Sequence, residues 1–348
     1  GKPSGMFSSN VADALKMFPA DQIKKVEVIT APGAKYDGEG SGGIINIITK
    51  KENIEGIAGS INASAGNRQS NAFTNLNVGK GRFGLTANTS VFWSLPVNAN
   101  NSFLRTELPS NDTTYTFDGV TNTERLGFNG SISAFYDFNA YNSLNSSLSF
   151  RGFGFDQDGT ADGSLFGNAY ERVNQGNNLV SGYDWNTDFT KKYEGSDVQE
   201  LSFAVQVSGN IQNQENLVTE SGFLKRNEEI ENDGNNLEIT GQVDYVHPIG
   251  KANKLEVGAK TVIRNIDSDS EFRPFVDGAY TIDTNRSNLF FYDQDVYAAY
   301  ASYNFYINKL NFVAGLRYER TEIGGDGDIA EQQFANSYDN YLPNIAVS

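Results

Sequence analysis

The sequence predicts a mainly β chain, an antiparallel up-and-down meander. Three observations predict it: segments of ten or more residues with strict period-two alternation, connections that alternate between short and long, and a composition with 12% aromatics and 35 glycines but only 8 prolines in 348 residues. Leu201, Phe203, Val205, Val207 and Ile211 alternate with Ser202, Gln206, Ser208, Asn210 and Gln212. Leu237, Ile239, Val243 and Tyr245 alternate with Glu238, Thr240, Gln242 and Asp244, and Phe312, Ala314, Leu316 and Tyr318 with Arg317 and Glu319. Successive side chains of a strand point to opposite faces, so each segment has one apolar face and one wet face.

This texture begins at about Gly56. Short turns are expected near Gly79–Arg82, Asn139–Tyr141, Tyr193–Val198, Pro248–Asn253 and Asn308–Lys309. Between them the sequence reads as long polar loops, at Leu95–Glu124, Asp156–Asn178, Asn213–Asn235, Asp267–Leu289 and Gly324–Ser337. Short turns at one end and long loops at the other describe a transmembrane β-barrel whose two ends face different surroundings. Tyr136, Phe138, Tyr245, Tyr303, Phe305 and Phe312 recur beside the short turns, as a girdle at a membrane interface would; cross-strand packing in a soluble sheet is the other reading. Eleven complete strands fit between Gly56 and Glu322, and Tyr338–Ser348 starts a twelfth. A meander of that length leaves two long edges, so either it closes as a small barrel or it needs more strands; the even strand numbers of bacterial barrels favour the second.

The first fifty residues read as mixed α and β. Ser9 or Asn10 can cap a short helix carrying Val11, Leu15 and Phe18 on one side, and Pro19 ends it. Ile23–Thr30 and Ile44–Thr49 read as strands, the second buried on both faces, with turns at Pro32-Gly33 and over Gly38–Gly43. Gly38, Gly40 and Gly43 match the G-x-G-x-x-G spacing of a nucleotide loop. The β-branched run Ile44-Ile45-Asn46-Ile47-Ile48-Thr49 follows, however, and a strand offers an anion no helix N-terminus.

Composition excludes several functions. A formal net charge of −16, with no basic stripe, argues against a nucleic-acid partner. There is no cysteine, and therefore no disulfide framework or thiolate metal site. No apolar run approaches the roughly 18 residues of a spanning helix, which leaves a membrane barrel open. The one histidine, His247, precedes Pro248 at a strand end and reads as an interface residue beside a turn rather than as a catalytic base.

Ile23-Lys24-Lys25-Val26-Glu27-Val28-Ile29, then Pro32, Tyr36, Gly38 and Gly42-Gly43-Ile44-Ile45-Asn46-Ile47-Ile48-Thr49-Lys50, resemble the end of the plug domain of TonB-dependent outer-membrane receptors. Asp13-Ala14-Leu15-Lys16, Pro19-Ala20, Ala31-Pro32, Ala34-Lys35-Tyr36-Asp37 and Glu39-Gly40 look most like the Bacteroidetes group of outer-membrane β-barrel receptors. The motif residues are Glu27, Pro32, Tyr36, Gly38, Gly40, Gly42, Gly43, Asn46 and Thr49. The resemblance implies the C-terminal part of a small α+β plug over residues 1–52 and the N-terminal part of a barrel over 53–348, with 11–12 strands present of about 22. It also implies an outer-membrane location and uptake of a scarce extracellular solute, with or without a surface lipoprotein. Coupling to the TonB protein would run through a segment not visible here, and no catalysis or cofactor is implied. The sequence reads as a fragment lacking both ends. Where many members carry Arg-Gly-Pro, this chain has Thr30-Ala31-Pro32, so Glu27 stands either as the contact to an inward Arg or Lys or on a solvated face. Two other functions fit the texture: a barrel for adhesion or surface assembly without transport, and a soluble all-β protein that binds or cleaves carbohydrate.

Site chemistry is sparse. Asp156, Asp158 and Asp162 offer oxygen ligands for calcium in what reads as an acidic loop, without the spacing or closing Glu of an EF-hand. Glu215, Glu220, Glu228, Glu229, Glu231 and Asp233 in one expected loop, and Asp267, Asp269, Glu271, Asp277 and Asp283 in another, read as solubilising charge or as a surface facing a ligand or lipopolysaccharide. The ligand-binding residues are not legible.

Overall fold

The computed structural model describes residues 23–29, 34–36, 44–49, 55–106, 114–250, 252–328 and 332–347. Two strands stand apart from the rest: β1 (Ile23–Ile29) pairs antiparallel with β2 (Ile44–Thr49), placing Glu27 opposite Asn46 and Ile23 opposite Thr49. The expected helix and the glycine turn carrying Pro32, Gly38, Gly40, Gly42 and Gly43 lie outside the described residues, as do the side chains of Glu27, Asn46 and Thr49.

All other strands belong to one thirteen-stranded antiparallel sheet. It begins with β3 (Gly56–Ser64), β4 (Gln69–Lys80), β5 (Phe83–Thr106), β6 (Thr114–Asp137), β7 (Asn142–Leu165) and β8 (Asn168–Lys192). It continues with β9 (Glu200–Gly222), β10 (Arg226–Ile249), β11 (Asn253–Val276), the two-residue β12 (Ala279–Tyr280), β13 (Asn288–Ile307), β14 (Leu310–Gly327) and β15 (Phe334–Val347). Each strand pairs with its sequence neighbours, apart from β12, a spur on β11. The expected twelve strands are all present. The sheet does not close on itself among the described residues: β3 and β15 each pair on one side only, so the small-barrel alternative does not hold.

The sheet's packing is inverted relative to a soluble protein. On β14 Leu316 is 50% exposed while Arg317, its neighbour on the other face, is 2% exposed. The same contrast separates exposed Tyr297 from buried Ala298 and Tyr300 on β13, and exposed Ile239 from buried Thr240 on β10. Water would leave those exposed side chains unpartnered over a surface far larger than a soluble monomer tolerates, whereas hydrocarbon would solvate them.

The short turns fall where expected, and several use left-handed backbone: Gly81, Gly195, Gly250 and Asn308 all have positive φ. Among the described residues the expected long loops are mostly strand. β6, β7, β10 and β11 each run 24 residues, and β7 and β8 are joined only by Phe166-Gly167, both at positive φ as a type I′ turn requires. Such a strand is about 80 Å long, whereas about 9–11 residues cross a bilayer. Beyond the apolar band both faces of the wall meet water, so the apolar/polar alternation fades while the hydrogen-bond ladder continues. The Leu95–Glu124, Asp156–Asn178, Asn213–Asn235, Asp267–Leu289 and Gly324–Ser337 segments are thus largely extended hairpin, and Asp156, Asp158 and Asp162 lie on strand β7 rather than in a loop.

Glycines inside the strands have a packing reason. A Cβ on Gly258 would meet the Tyr300 ring at 2.6 Å, because the ring lies across the glycine from the neighbouring strand. Phe135 covers Gly84 and Phe92 covers Gly127 in the same way. Along β5 the register shifts between Ser94 and Val97, where Pro96 cannot donate to the ladder, and the bulge reverses which residues face which side.

Candidate functional site: the polar face of the wall

The polar face is built from the wet members of the alternation. On β10, β11 and β13, Glu238, Arg264 and Gln294 sit directly opposite one another across the ladder. Arg264 donates from Nε and Nη2 to Glu238 Oε2 at 2.9 and 2.7 Å, and from Nη1 to Gln294 Oε1 at 2.6 Å. Six residues along the wall, toward the short turns, the Tyr300 hydroxyl donates to Asp244 Oδ1 at 2.6 Å and accepts from Gln242 Nε2 at 3.0 Å. The Arg317 guanidinium lies 5.4 Å from the Tyr300 ring centroid and donates to Glu319 Oε1 at 2.6 Å. Lys260 is buried on the same face. On β8 and β9 buried Gln206 donates to Asp184 at 2.6 Å, and on β4 and β5 Asn75 donates to Asn88 at 2.6 Å. Buried charges of both signs, with Arg317 paired to Glu319, are what a wet interior requires and what a hydrophobic core avoids.

The preceding segment reaches this face. Ala34 is 5% exposed, and it lies against Gly315, which sits between Ser302 and Asn344 on the polar side of β14. Tyr36, from the sequence motif, carries Lys35 Nζ 5.3 Å above its ring.

The opposite face carries an apolar band with two aromatic rims. Near the short turns Tyr303 stacks on Phe305 at 5.2 Å and Phe305 on Phe312 at 5.3 Å, while Tyr136 meets Phe138 at 5.0 Å. Tyr245 contacts Tyr193, and its hydroxyl lies 3.2 Å from Nδ1 of His247, which places the one histidine in the rim. The second rim, which sequence reading missed, contains Tyr297, Tyr318 and Tyr341; Tyr318 contacts Tyr341 at 5.3 Å and donates to Asp339 at 2.7 Å. From Tyr297 to Phe305 is about 27 Å along β13, close to the roughly 25 Å height of a lipid-facing band. A carboxylate two residues beyond Tyr297 and Tyr341, at Asp295 and Asp339, was the signal available in the sequence.

Beyond the second rim the acidic residues divide between the faces. Glu220 and Glu228 join the polar face: Arg226 pairs with Glu220 at 3.2 Å, and Arg286 clamps buried Glu228 with both terminal nitrogens, Nη2 to Oε1 at 3.0 Å, its guanidinium 4.5 Å above Phe272. Tyr170 is buried there over Gly163, its hydroxyl donating to Tyr115 at 2.8 Å; burial and that partner push its phenol above the ordinary range. Glu215, Glu229, Glu231, Asp233, Asp267, Asp269 and Glu271 take the outer face. There Arg273 bridges Glu231, at 2.7 Å, and Glu271. Asp156 and Asp158 line an open groove with Glu215, Glu231 and Arg273, and Asp162 lies farther along β7. No group of three His, Cys, Asp or Glu side chains is arranged to hold a metal ion among the described residues.

Residues 195–348 match the family model of the outer membrane protein beta-barrel family. The protein is an outer-membrane β-barrel. The polar face is therefore its lumen side, the apolar band its lipid side, and the exposed Leu316, Tyr297 and Ile239 face acyl chains. No curated protein matches the chain.

Proposed function

We propose that the protein is a TonB-dependent receptor, which takes up a scarce extracellular solute through a plugged barrel without covalent chemistry. One observation carries this reading: Ala34, within the segment that resembles a plug, is buried against the lumen wall at Gly315 rather than lying free of the sheet or against its lipid side. A wall lined by paired charges suits a hydrated lumen that a plug fills and vacates. The extended strands carry the lumen face well beyond the bilayer, where solute first meets Glu228, Arg286, Tyr170 and Tyr115. TonB, reached through a coupling segment outside this sequence, would supply the energy.

The test is accumulation of labelled iron chelates, cobalamin and oligosaccharides by cells lacking the gene, with TonB intact or disabled. Loss of one solute in the deletion strain, matched by loss on disabling TonB in the parent, is the expected result. Uptake that is unchanged by the deletion, or that survives without TonB, would remove the receptor reading.

A further inference from the structure

We infer that Gly315 is a notch in the lumen wall that seats the Ala34–Tyr36 turn, and that this seat is built to be vacated. The inference rests on the plug reading above and adds where the plug grips the wall.

Gly315 is not required by its own backbone, since its φ is not among the positive values that call for glycine. Space requires it. A Cβ at Gly315 would collide with Asn344 Oδ1 and would lie 2.6 Å from Ser302 Oγ and 3.1 Å from the Ala34 Cβ. Other strand glycines of this sheet, such as Gly258, Gly84 and Gly127, are covered by an aromatic ring from an adjacent strand. At Gly315 the cover includes Ala34, which precedes the sheet, beside the Asn344 and Ser302 side chains of the adjacent strands. Its strand neighbours, Ser302 and Asn344, are polar, and together with Ala34 they close over the glycine. The turn enters tip first: Ala34 is buried while Lys35 and Tyr36 stay partly exposed.

The chemistry of the recess favours release. An apolar seat would expose hydrocarbon to lumen water each time the turn left it. This seat consists of a glycine, a hydroxyl and an amide, and the nearest buried charge, Arg317, is already paired with Glu319. Asn344 Oδ1 is buried without a hydrogen-bond donor, so seating leaves an acceptor unsatisfied that water can reach when the turn withdraws. The contact fixes position by shape and holds little apolar area, as a part that must come away repeatedly requires.

These 348 residues contain no cysteine, which simplifies the test. In outer membranes, the double variant Ala34→Cys with Gly315→Cys should form a disulfide on mild oxidation, read by mass as a linked peptide, because the two Cβ atoms lie close enough to bridge with a small adjustment. Ala34→Cys with Leu316→Cys should not, since Leu316 points to lipid. Gly315→Leu in an Ala34→Cys background should raise the rate of maleimide labelling of that cysteine by about tenfold, the cysteine then being in water rather than in the notch. No link at 315, an equal link at 316, or unchanged labelling would overturn the seat. Where deletion abolishes accumulation of one of the labelled solutes, the linked protein should fail to accumulate it and reductant should restore it. Undiminished uptake by the linked protein would overturn release while leaving the seat in place. If the deletion abolishes no uptake, the receptor reading falls, yet the linked peptide still decides the seat.

Discussion

Strand β10 carries two regions of different character on one uninterrupted ladder. From Leu237 to Ile249 it alternates, with Leu237, Ile239 and Val243 to lipid and Glu238, Thr240 and Gln242 to the lumen; from Arg226 to Asn236 both faces are polar, with Glu229 and Glu231 on one and Glu228 and Asn232 on the other. The pairing with β11 nevertheless runs from Glu228 opposite Pro274 to Ile249 opposite Asn253 without a register shift. Backbone hydrogen bonding extends the wall, and the surroundings decide which side chains decorate it. The membrane half is therefore intolerant of charge on its outward face, whereas the outer half carries charge there in partly exposed pairs such as Arg273 with Glu231 and Glu271.

The largest expected difference concerns ion pairs. Arg317→Ala leaves Glu319 buried and unpaired, which should cost about 3–5 kcal/mol. Arg273→Ala in the outer half, whose partners Glu231 and Glu271 are partly exposed, should cost about 0.2–1 kcal/mol. Urea unfolding in lipid vesicles measures both, and equal losses would erase the distinction between the halves.

Charge on the outward face gives the next effect. Leu316→Arg places a guanidinium among acyl chains and should destabilise by about 2–4 kcal/mol. Glu229→Arg, on the same face but beyond the band, should stay within about 0.5 kcal/mol of the parent. A large loss at Glu229 would move the bilayer boundary outward along the strands.

Packing over glycine separates the halves more finely. Gly258→Ala must displace the Tyr300 ring and its bond to Asp244, which should cost about 1–3 kcal/mol. Gly234→Ala, in the outer half, meets nothing closer than the Gln212 Cβ at 3.8 Å and should be neutral or slightly stabilising. Loss of Tyr300 protection in the first variant would appear in the same unfolding series as a broadened transition; equal behaviour of the two glycines would reject the ring-over-glycine account.

The membrane half was legible because one face meets hydrocarbon, which writes a period of two into the sequence: the alternation at Leu201–Gln212, Leu237–Tyr245 and Phe312–Glu319 located strands, faces and short turns. Arg317 and Glu319 were identified as inner-face charges from position alone. The outer half was not legible as strand because Asn, Asp, Glu and Gly on both faces look like loop composition. One local signal was nevertheless present, since Asp277-Gly278 has the positive φ pair of a tight hairpin turn. Contacts between distant parts of the chain, such as Ala34 with Gly315 or Arg286 with Glu228, leave no periodic trace and emerge only in three dimensions.

The smallest expected effect tests whether crowded charge in the outer half is a strain on the fold. Burial, then Glu271, Asp233, Glu231 and Asp328, raise the Asp269 carboxyl above its ordinary value of 3.8. The folded chain thus holds this proton more tightly than the unfolded chain, so stability falls as pH rises from 3.8 through the raised value, and the ionised group is a standing cost at neutral pH. Asp269→Asn should raise the unfolding free energy near neutral pH by less than about 1 kcal/mol, solvent screening keeping the gain small. Below the unfolded value both chains carry a neutral side chain and the gain should vanish. A gain that persisted in acid would come from packing rather than charge, and a loss at neutral pH would mean that the Asp269 carboxylate is held by a partner stronger than the repulsion around it.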